Sequence, residues 1–182
     1  MRELSLHIMD LTENSIRAGS TLIEIEIAES RSKDLMTIKI KDNGCGMDKE
    51  FLKDVISPFK TTRTTRKVGL GLSLFQTACQ RCEGSFRIRS KPGIGTEVEG
   101  SFKWSHIDRA PLGDIASTLA LLISGNPGIE FVYRHTTDEG TYILDSRELK
   151  QILEDVAVNN PLVVDWIKKN VKEGLKDING GV

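Results

Sequence analysis

The sequence predicts an α+β fold: a two-layer sandwich in which a mixed, mostly antiparallel sheet is covered by helices on one face. Three observations carry this. Four short segments alternate apolar with polar residues, so each would present one dry and one wet face. Segments of helical periodicity flank them, giving the order α-β-β-α-loop-α-β-β. Glycine-rich loops fall at the junctions between elements, where ligand sites are usually built.

Residues 4–18 carry Leu4, Ile8, Leu11 and Ile16 at roughly helical intervals, with Gly19 as a stop. Leu22 to Ile27 alternates strictly, with Ile23, Ile25 and Ile27 on one face and Glu24 and Glu26 on the other, and Met36 to Lys41 repeats the pattern. Asp48 caps a short helix through Val55. The stretch from Ser57 to Val68 is polar, basic, threonine-rich and aperiodic, which predicts a mobile loop. Leu70 to Cys82 reads as a helix ended by Gly84, and Ser85–Ser90 and Thr96–Phe102 as strands about the turn Lys91-Pro92-Gly93.

Beyond residue 105 a second run begins. Ile115 to Ser124 reads as an apolar helix, Ile129–Thr136 and Thr141–Leu144 as a strand pair across Asp138-Glu139-Gly140, and Arg147 to Val156 as a helix with an Asp145/Glu148 capping box. Asn160-Pro161 opens an amphipathic last helix bearing Leu162, Val163, Trp166, Ile167 and Val171. The division expected is residues 1–104 as the main domain and 105–182 as a small α+β subdomain with a regulatory or interaction role. Whether it covers the free sheet face, binds a partner or makes a dimer is open from pattern alone.

A chain of 182 residues buries one substantial core with some sequence left over. Lys and Arg total 25 against 26 Asp and Glu, a net charge of −1, which argues against nucleic acid or anionic membrane as the general partner. The apolar run from Ile115 to Ile123 is too short to cross a bilayer, and no basic region followed by an apolar stretch opens the chain, so a cytoplasmic protein is expected. Three irregularly spaced cysteines suit free thiols better than a disulfide framework.

Several clusters carry chemistry. Asp42-Asn43-Gly44-Cys45-Gly46-Met47 places a carboxylate at a strand end followed by two glycines, either an ordinary turn or a loop that admits a flat ligand close to the backbone. On the first helix His7, Asp10, Asn14 and Arg17 share a face, with Glu13 beside them. That stripe is either solvated or functional, with an acid or base at Asp10, a metal-ligand oxygen at Asn14 and a phosphate-pairing guanidinium at Arg17. Val68-Gly69-Leu70-Gly71-Leu72 brings a loop into a helix, where backbone N–H groups suit phosphate oxygens; it lacks the closing Lys and hydroxyl of a Walker loop. Just upstream stand Lys60, Arg63, Arg66 and Lys67 among Thr61, Thr62, Thr64 and Thr65.

Taken in order, Asn14 with its preceding helix, Asp42-x-Gly44-x-Gly46, Pro58-Phe59-x-Thr61-Thr62, Gly69-Leu70-Gly71-Leu72 and Gly93-x-Gly95-Thr96 resemble the motifs of the GHKL ATPases. That superfamily, built on the Bergerat fold, groups gyrase, the ninety-kilodalton heat-shock chaperone, sensor histidine kinases and mismatch-repair proteins of the MutL kind. The likeness spans about residues 4 to 103; Pro58 to Phe102 is most similar to the catalytic domain of sensor histidine kinases, and Glu13 to Gly19 to mismatch-repair ATPases.

The resemblance implies that ATP and magnesium bind here. Asp42 would hold the adenine amino group, directly and through a water shared with Thr96, with Gly44 and Gly46 shaping the base pocket and Met47 against the ring. Asn14 would ligate magnesium, Arg17 would pair with a phosphate, and Gly69, Leu70, Gly71 and Leu72 would offer the helix entrance. The loop with Lys60, Thr61, Thr62 and Lys67 would become an ATP lid. Three departures stand out. Asp10 occupies the position where hydrolysing members have Glu and histidine kinases commonly Asn; Lys67 replaces the first lid glycine; and Met1 falls just before the first helix, leaving no room for a dimerising helical pair with a phosphoacceptor histidine. His7 lies inside the nucleotide-site helix and does not take that role.

Cys79 and Cys82 form a CxxC that shares a helical face with Leu72 and Phe75, and they read as buried apolar cysteines; Cys45 falls in the pocket loop. His106 and His135 read as structural, Trp104 and Trp166 as packing residues. The function expected is a magnesium-dependent ATP-binding protein, a regulatory kinase or ATPase that meets its protein partner through the C-terminal region. The alternatives are an ATP-driven conformational switch with slow hydrolysis and a nucleotide-sensing module. No nucleic acid or membrane partner is expected, and a homodimer is left open.

Overall fold

A computed structural model describes residues 2–56 and 71–180. The helices and strands, in chain order, are α1 (Leu4–Arg17), β1 (Leu22–Ser30), β2 (Leu35–Asp42), α2 (Lys49–Ile56), α3 (Gly71–Arg81), β3 (Phe86–Lys91), β4 (Gly95–Lys103), α4 (Ile115–Gly125), β5 (Glu130–Thr136), β6 (Thr141–Asp145), α5 (Ser146–Leu153) and α6 (Pro161–Asp177). The basic loop predicted over Ser57–Val68 lies outside the described residues.

The strands form one six-stranded mixed sheet in the order β3-β4-β2-β1-β5-β6. All neighbours are antiparallel except β1 and β5, which run parallel with Ile25 opposite Tyr133. The parallel pair is possible because β4, α4 and their connections carry the chain back between the two strands. The C-terminal strands therefore extend the sheet that the N-terminal strands begin.

Period-two alternation decides which face is covered. Ile23, Ile25 and Ile27 of β1, Met36, Ile38 and Ile40 of β2, Val98 and Phe102 of β4, and Phe131 and Tyr133 of β5 are all buried. They meet Leu4, Ile8 and Leu11 of α1, Phe75 and Cys79 of α3, Leu119 and Ile123 of α4, and Ile167 and Val171 of α6 in one continuous core. The opposite face is a lattice of cross-strand charges: Lys41–Glu24 at 3.0 Å, Lys39–Glu26 at 2.9 Å and Arg89–Glu97 at 3.4 Å. Exposed pairs of this sort add little stability, but they keep that face wet.

Boundaries shift by a residue or two at most ends. The larger differences are β1, which runs to Ser30 instead of Ile27, and α5, which stops at Leu153. At α5 the next residue, Glu154, has φ +49°, a left-handed conformation that ends the helix. In β1 the inward position after Ile27 is Glu29, whose polar side chain interrupts the apolar alternation while the backbone pairing continues.

Candidate functional site

Asp42 closes β2, opposite Thr96 of β4 and Ile23 of β1. Its carboxylate is held from three sides. Oδ1 accepts the backbone N–H of Gly44 at 2.9 Å and of Thr96 at 3.2 Å, and Oδ2 accepts the Ser15 hydroxyl of α1 at 2.6 Å. Fixing an acceptor in this way lets it meet a donor on a ligand without first losing side-chain freedom.

The loop after Asp42 is pinned on both flanks. Asn43 Oδ1 accepts the N–H groups of Thr21 and Leu22, Cys45 N–H donates to the Ala18 carbonyl at the end of α1, and Gly93 N–H donates to the Cys45 carbonyl from the β3–β4 turn. A second hub is Ser90, whose Oγ accepts Met47 N–H at 2.7 Å and lies 2.8 Å from Thr96 Oγ1 and 3.1 Å from the Gly95 carbonyl. Gly46 has φ +67°, and a Cβ on it would stand 2.1 Å from the Lys91 carbonyl oxygen. Gly46→Ala is therefore expected to push the β3–β4 turn off the loop and to lower stability by at least about 2 kcal/mol. An unchanged urea midpoint would show that the close approach is dispensable.

Asp10 and Asn14 are half-buried and one turn apart on α1, and among the described residues neither side chain makes a hydrogen bond. Asn14 precedes Ser15, whose hydroxyl donates to Asp42. Gly71, the first residue of α3, faces Asp10 so closely that a Cβ there would lie 3.1 Å from Asp10 Cβ. The start of α3, with Gly71 and buried Leu72, thus opens against the polar stripe of α1, and a helix N-terminus favours negative charge.

The remaining predicted residues separate. Met47 is partly buried against the core. Arg17 is exposed and pairs with Glu13 at 3.1 Å, on the rim of an open groove of about 380 Å³ between α1 and α4 that Met9, Ile16, Leu121, Leu122 and Asn126 also line. Lys60, Thr61, Thr62, Lys67, Gly69 and Leu70 fall outside the described residues. His7 is buried with its ring 5.7 Å from Phe75, and burial pushes its imidazole below the usual pKa against the pull of Asp10. Cys79 and Cys82 are buried free thiols; burial pushes Cys79 up to about 12 and raises Cys82, so both stay protonated and unreactive at neutral pH. Among the described residues no cluster of three His, Cys, Asp or Glu side chains offers a metal site.

Sequence reasoning missed Ser15 and Ser90. Ser15 had a signal: Leu4, Ile8, Leu11 and Ser15 form one stripe, and a hydroxyl at a core position needs a partner. Ser90 is aligned with Thr96 across the hairpin, which only the strand register discloses.

Comparison with known proteins agrees with this geometry. The family described as histidine kinase-, DNA gyrase B-, and HSP90-like ATPase matches residues 2–106. A putative sensor protein of Shewanella frigidimarina is 35% identical over 109 residues, 59% of this chain and 17% of that protein. The signal transduction histidine-protein kinase AtoS of Escherichia coli is 35% identical over 89 residues, 48% of this chain and 14% of that protein. The chain thus spans less than a fifth of these relatives. Among solved structures, the Aquifex aeolicus MutL ATPase domain complexed with ADP superposes with a TM-score of 0.55 at 17% identity, over 85% of this chain and 70% of that one. A stretch of that length exceeds residues 2–106, so the likeness of fold reaches into the C-terminal third.

Proposed function

Because the chain belongs to the family of histidine kinase-, DNA gyrase B- and HSP90-like ATPases, we propose that it binds ATP with magnesium and acts as a regulatory protein kinase or ATPase on a protein partner. The observation that carries this is the Asp42 carboxylate, fixed by Ser15, Gly44 and Thr96 at the mouth of a glycine loop. It accepts the adenine exocyclic amine, while the Gly44–Gly46 loop and Met47 border the ring.

The Asn14 side-chain oxygen, which makes no hydrogen bond among the described residues, would hold magnesium, a hard cation that prefers oxygen ligands. Bound there, the metal would neutralise phosphate charge. The N–H groups at the start of α3 receive phosphate oxygens. Asp10, against Gly71, accepts the proton of an attacking hydroxyl as its oxygen bonds to the terminal phosphorus and ADP leaves with the bridging oxygen. The region beyond residue 105 is the surface for the protein partner.

ATP labelled at the terminal phosphate tests the reading. Label transferred to a co-purified protein is the expected result for a kinase, and free phosphate that depends on Asp10 the expected result for an ATPase or switch. Asp10→Asn preserves shape and removes the base, so turnover should fall by at least about 100-fold while ATP affinity is nearly retained. Equal turnover in the variant would remove Asp10 from the chemistry, and absence of ATP binding to the wild type would sink the whole assignment.

A further inference from the structure

The two edges of the sheet differ in a way that points to an interface. The outer edge β3 carries Arg87, Arg89 and Lys91, all exposed, and cations on an edge strand repel a second copy of the same strand. The other edge, β6, reads Thr141-Tyr142-Ile143-Leu144-Asp145, with no Lys, Arg, Pro or Gly in it. Thr137 N–H bonds the Gly140 carbonyl across the β5–β6 turn, so Thr137 and Gly140 face each other as a hydrogen-bonded pair. Alternation from there directs the backbone groups of Thr141, Ile143 and Asp145 away from β5, to the open side. The Asp145 carbonyl opens α5, for which Asp145 is the N-cap. The N–H and C=O of Thr141 and Ile143 and the N–H of Asp145 remain, and among the described residues nothing bonds them.

We propose that β6 pairs antiparallel with β6 of a second copy of this chain, about a two-fold axis through Ile143, so that the two sheets become one. The strand is self-complementary about that point. Ile143 exchanges both of its backbone bonds with its own counterpart, and each Asp145 N–H reaches the Thr141 carbonyl of the other copy. Thr141 stands opposite Asp145, so no like charges face each other. Ile143, 49% exposed on a sheet face that is otherwise largely charged, meets itself and is covered. On the covered face Tyr142 packs under α6, where its hydroxyl donates to Asn170 at 2.6 Å and a Cβ on Gly174 would meet its ring. The axis places the α6 helices of the two copies in one layer on the same side of the merged sheet.

Sedimentation equilibrium of the full chain without nucleotide is expected to give a species of twice 20.2 kDa. Ile143→Lys places a cation on the axis opposite its own copy and should give the 20.2 kDa monomer with unchanged circular dichroism and a melting temperature that no longer depends on protein concentration. Leu35→Lys, at a comparably exposed outward position on β2, should stay dimeric. In a Cys45→Ser background, Ile143→Cys should cross-link to itself on mild oxidation, because residues facing each other in a hydrogen-bonded pair stand about 5.5 Å apart at Cα, within disulfide reach. Ile152→Cys, also exposed, should not. A wild-type chain monomeric at all concentrations, a dimer that survives Ile143→Lys, or growth beyond two copies, as β6-to-β3 stacking would produce, each overturns the proposal.

Discussion

Asp42→Asn is expected to leave the protein folded and to weaken ATP binding by about 100-fold or more. The substitution is nearly isosteric. The new amide oxygen still accepts the N–H groups of Gly44 and Thr96, and the amide nitrogen finds an acceptor in the Ser15 hydroxyl, which turns its proton away. What changes is the side offered to the base. An exocyclic amine that met a carboxylate oxygen now meets another N–H donor, so a charge-assisted bond is lost and two donors oppose each other. A loss of about 3 kcal/mol corresponds to roughly two orders of magnitude in affinity. Calorimetric titration with ATP measures it, and a thermal melt in parallel separates loss of binding from loss of fold. Undiminished affinity would mean that the base sits elsewhere.

Ser15→Ala makes the complementary case: it leaves the carboxylate charged but frees one of its three anchors, so its effect on affinity should be smaller than that of Asp42→Asn. The comparison separates what the carboxylate contributes from what its fixing contributes.

The glycines of the loop after Asp42 and of the β3–β4 turn were legible because their type is dictated by backbone geometry. Gly46 must adopt a positive φ and admit the Lys91 carbonyl, and Gly95 likewise has φ +131° with no room for a Cβ beside the Asp42 carbonyl, so the glycine pattern is visible in any copy of the loop. Ser15 and Ser90 were not legible, since a serine announces a hydrogen bond without naming its partner. The strands of the C-terminal third were visible as alternating segments, but their partner was not. β5 pairs with β1 across more than a hundred residues of chain, and nothing in Leu22–Ala28 distinguishes an edge from an interior strand. The pairing hid one further thing. Glu29 and His135 both occupy inward positions, so each reads as a flaw in its own strand, and only the fold shows that the flaws meet.

That meeting predicts a second large effect: His135→Ala should lower stability by at least about 3 kcal/mol. His135 is fully buried, with Nε2 2.7 Å from Glu29 Oε1 and Nδ1 2.7 Å from the Tyr133 hydroxyl, and Glu29 Oε2 accepts the Trp104 indole N–H at 3.2 Å. Burial holds the Tyr133 phenol well above its usual pKa, so it stays protonated beside Nδ1, while Nε2 faces the Glu29 carboxylate. Truncation removes the imidazole from both Glu29 and Tyr133 and opens a cavity beneath Gly180, whose added Cβ would stand 3.1 Å from Nε2. Because Glu29 is on β1 and His135 on β5, the damage falls on the parallel seam. Hydrogen exchange should accelerate in β5 and β6 before it does in β2 or β4. Replacing both residues, Glu29→Leu with His135→Leu, should cost clearly less than the two single changes added together, since neither the carboxylate nor the imidazole is then left facing the gap of the other. A denaturation midpoint for His135→Ala indistinguishable from wild type would show that the seam is held by its apolar neighbours, Ile27 and Phe131, alone.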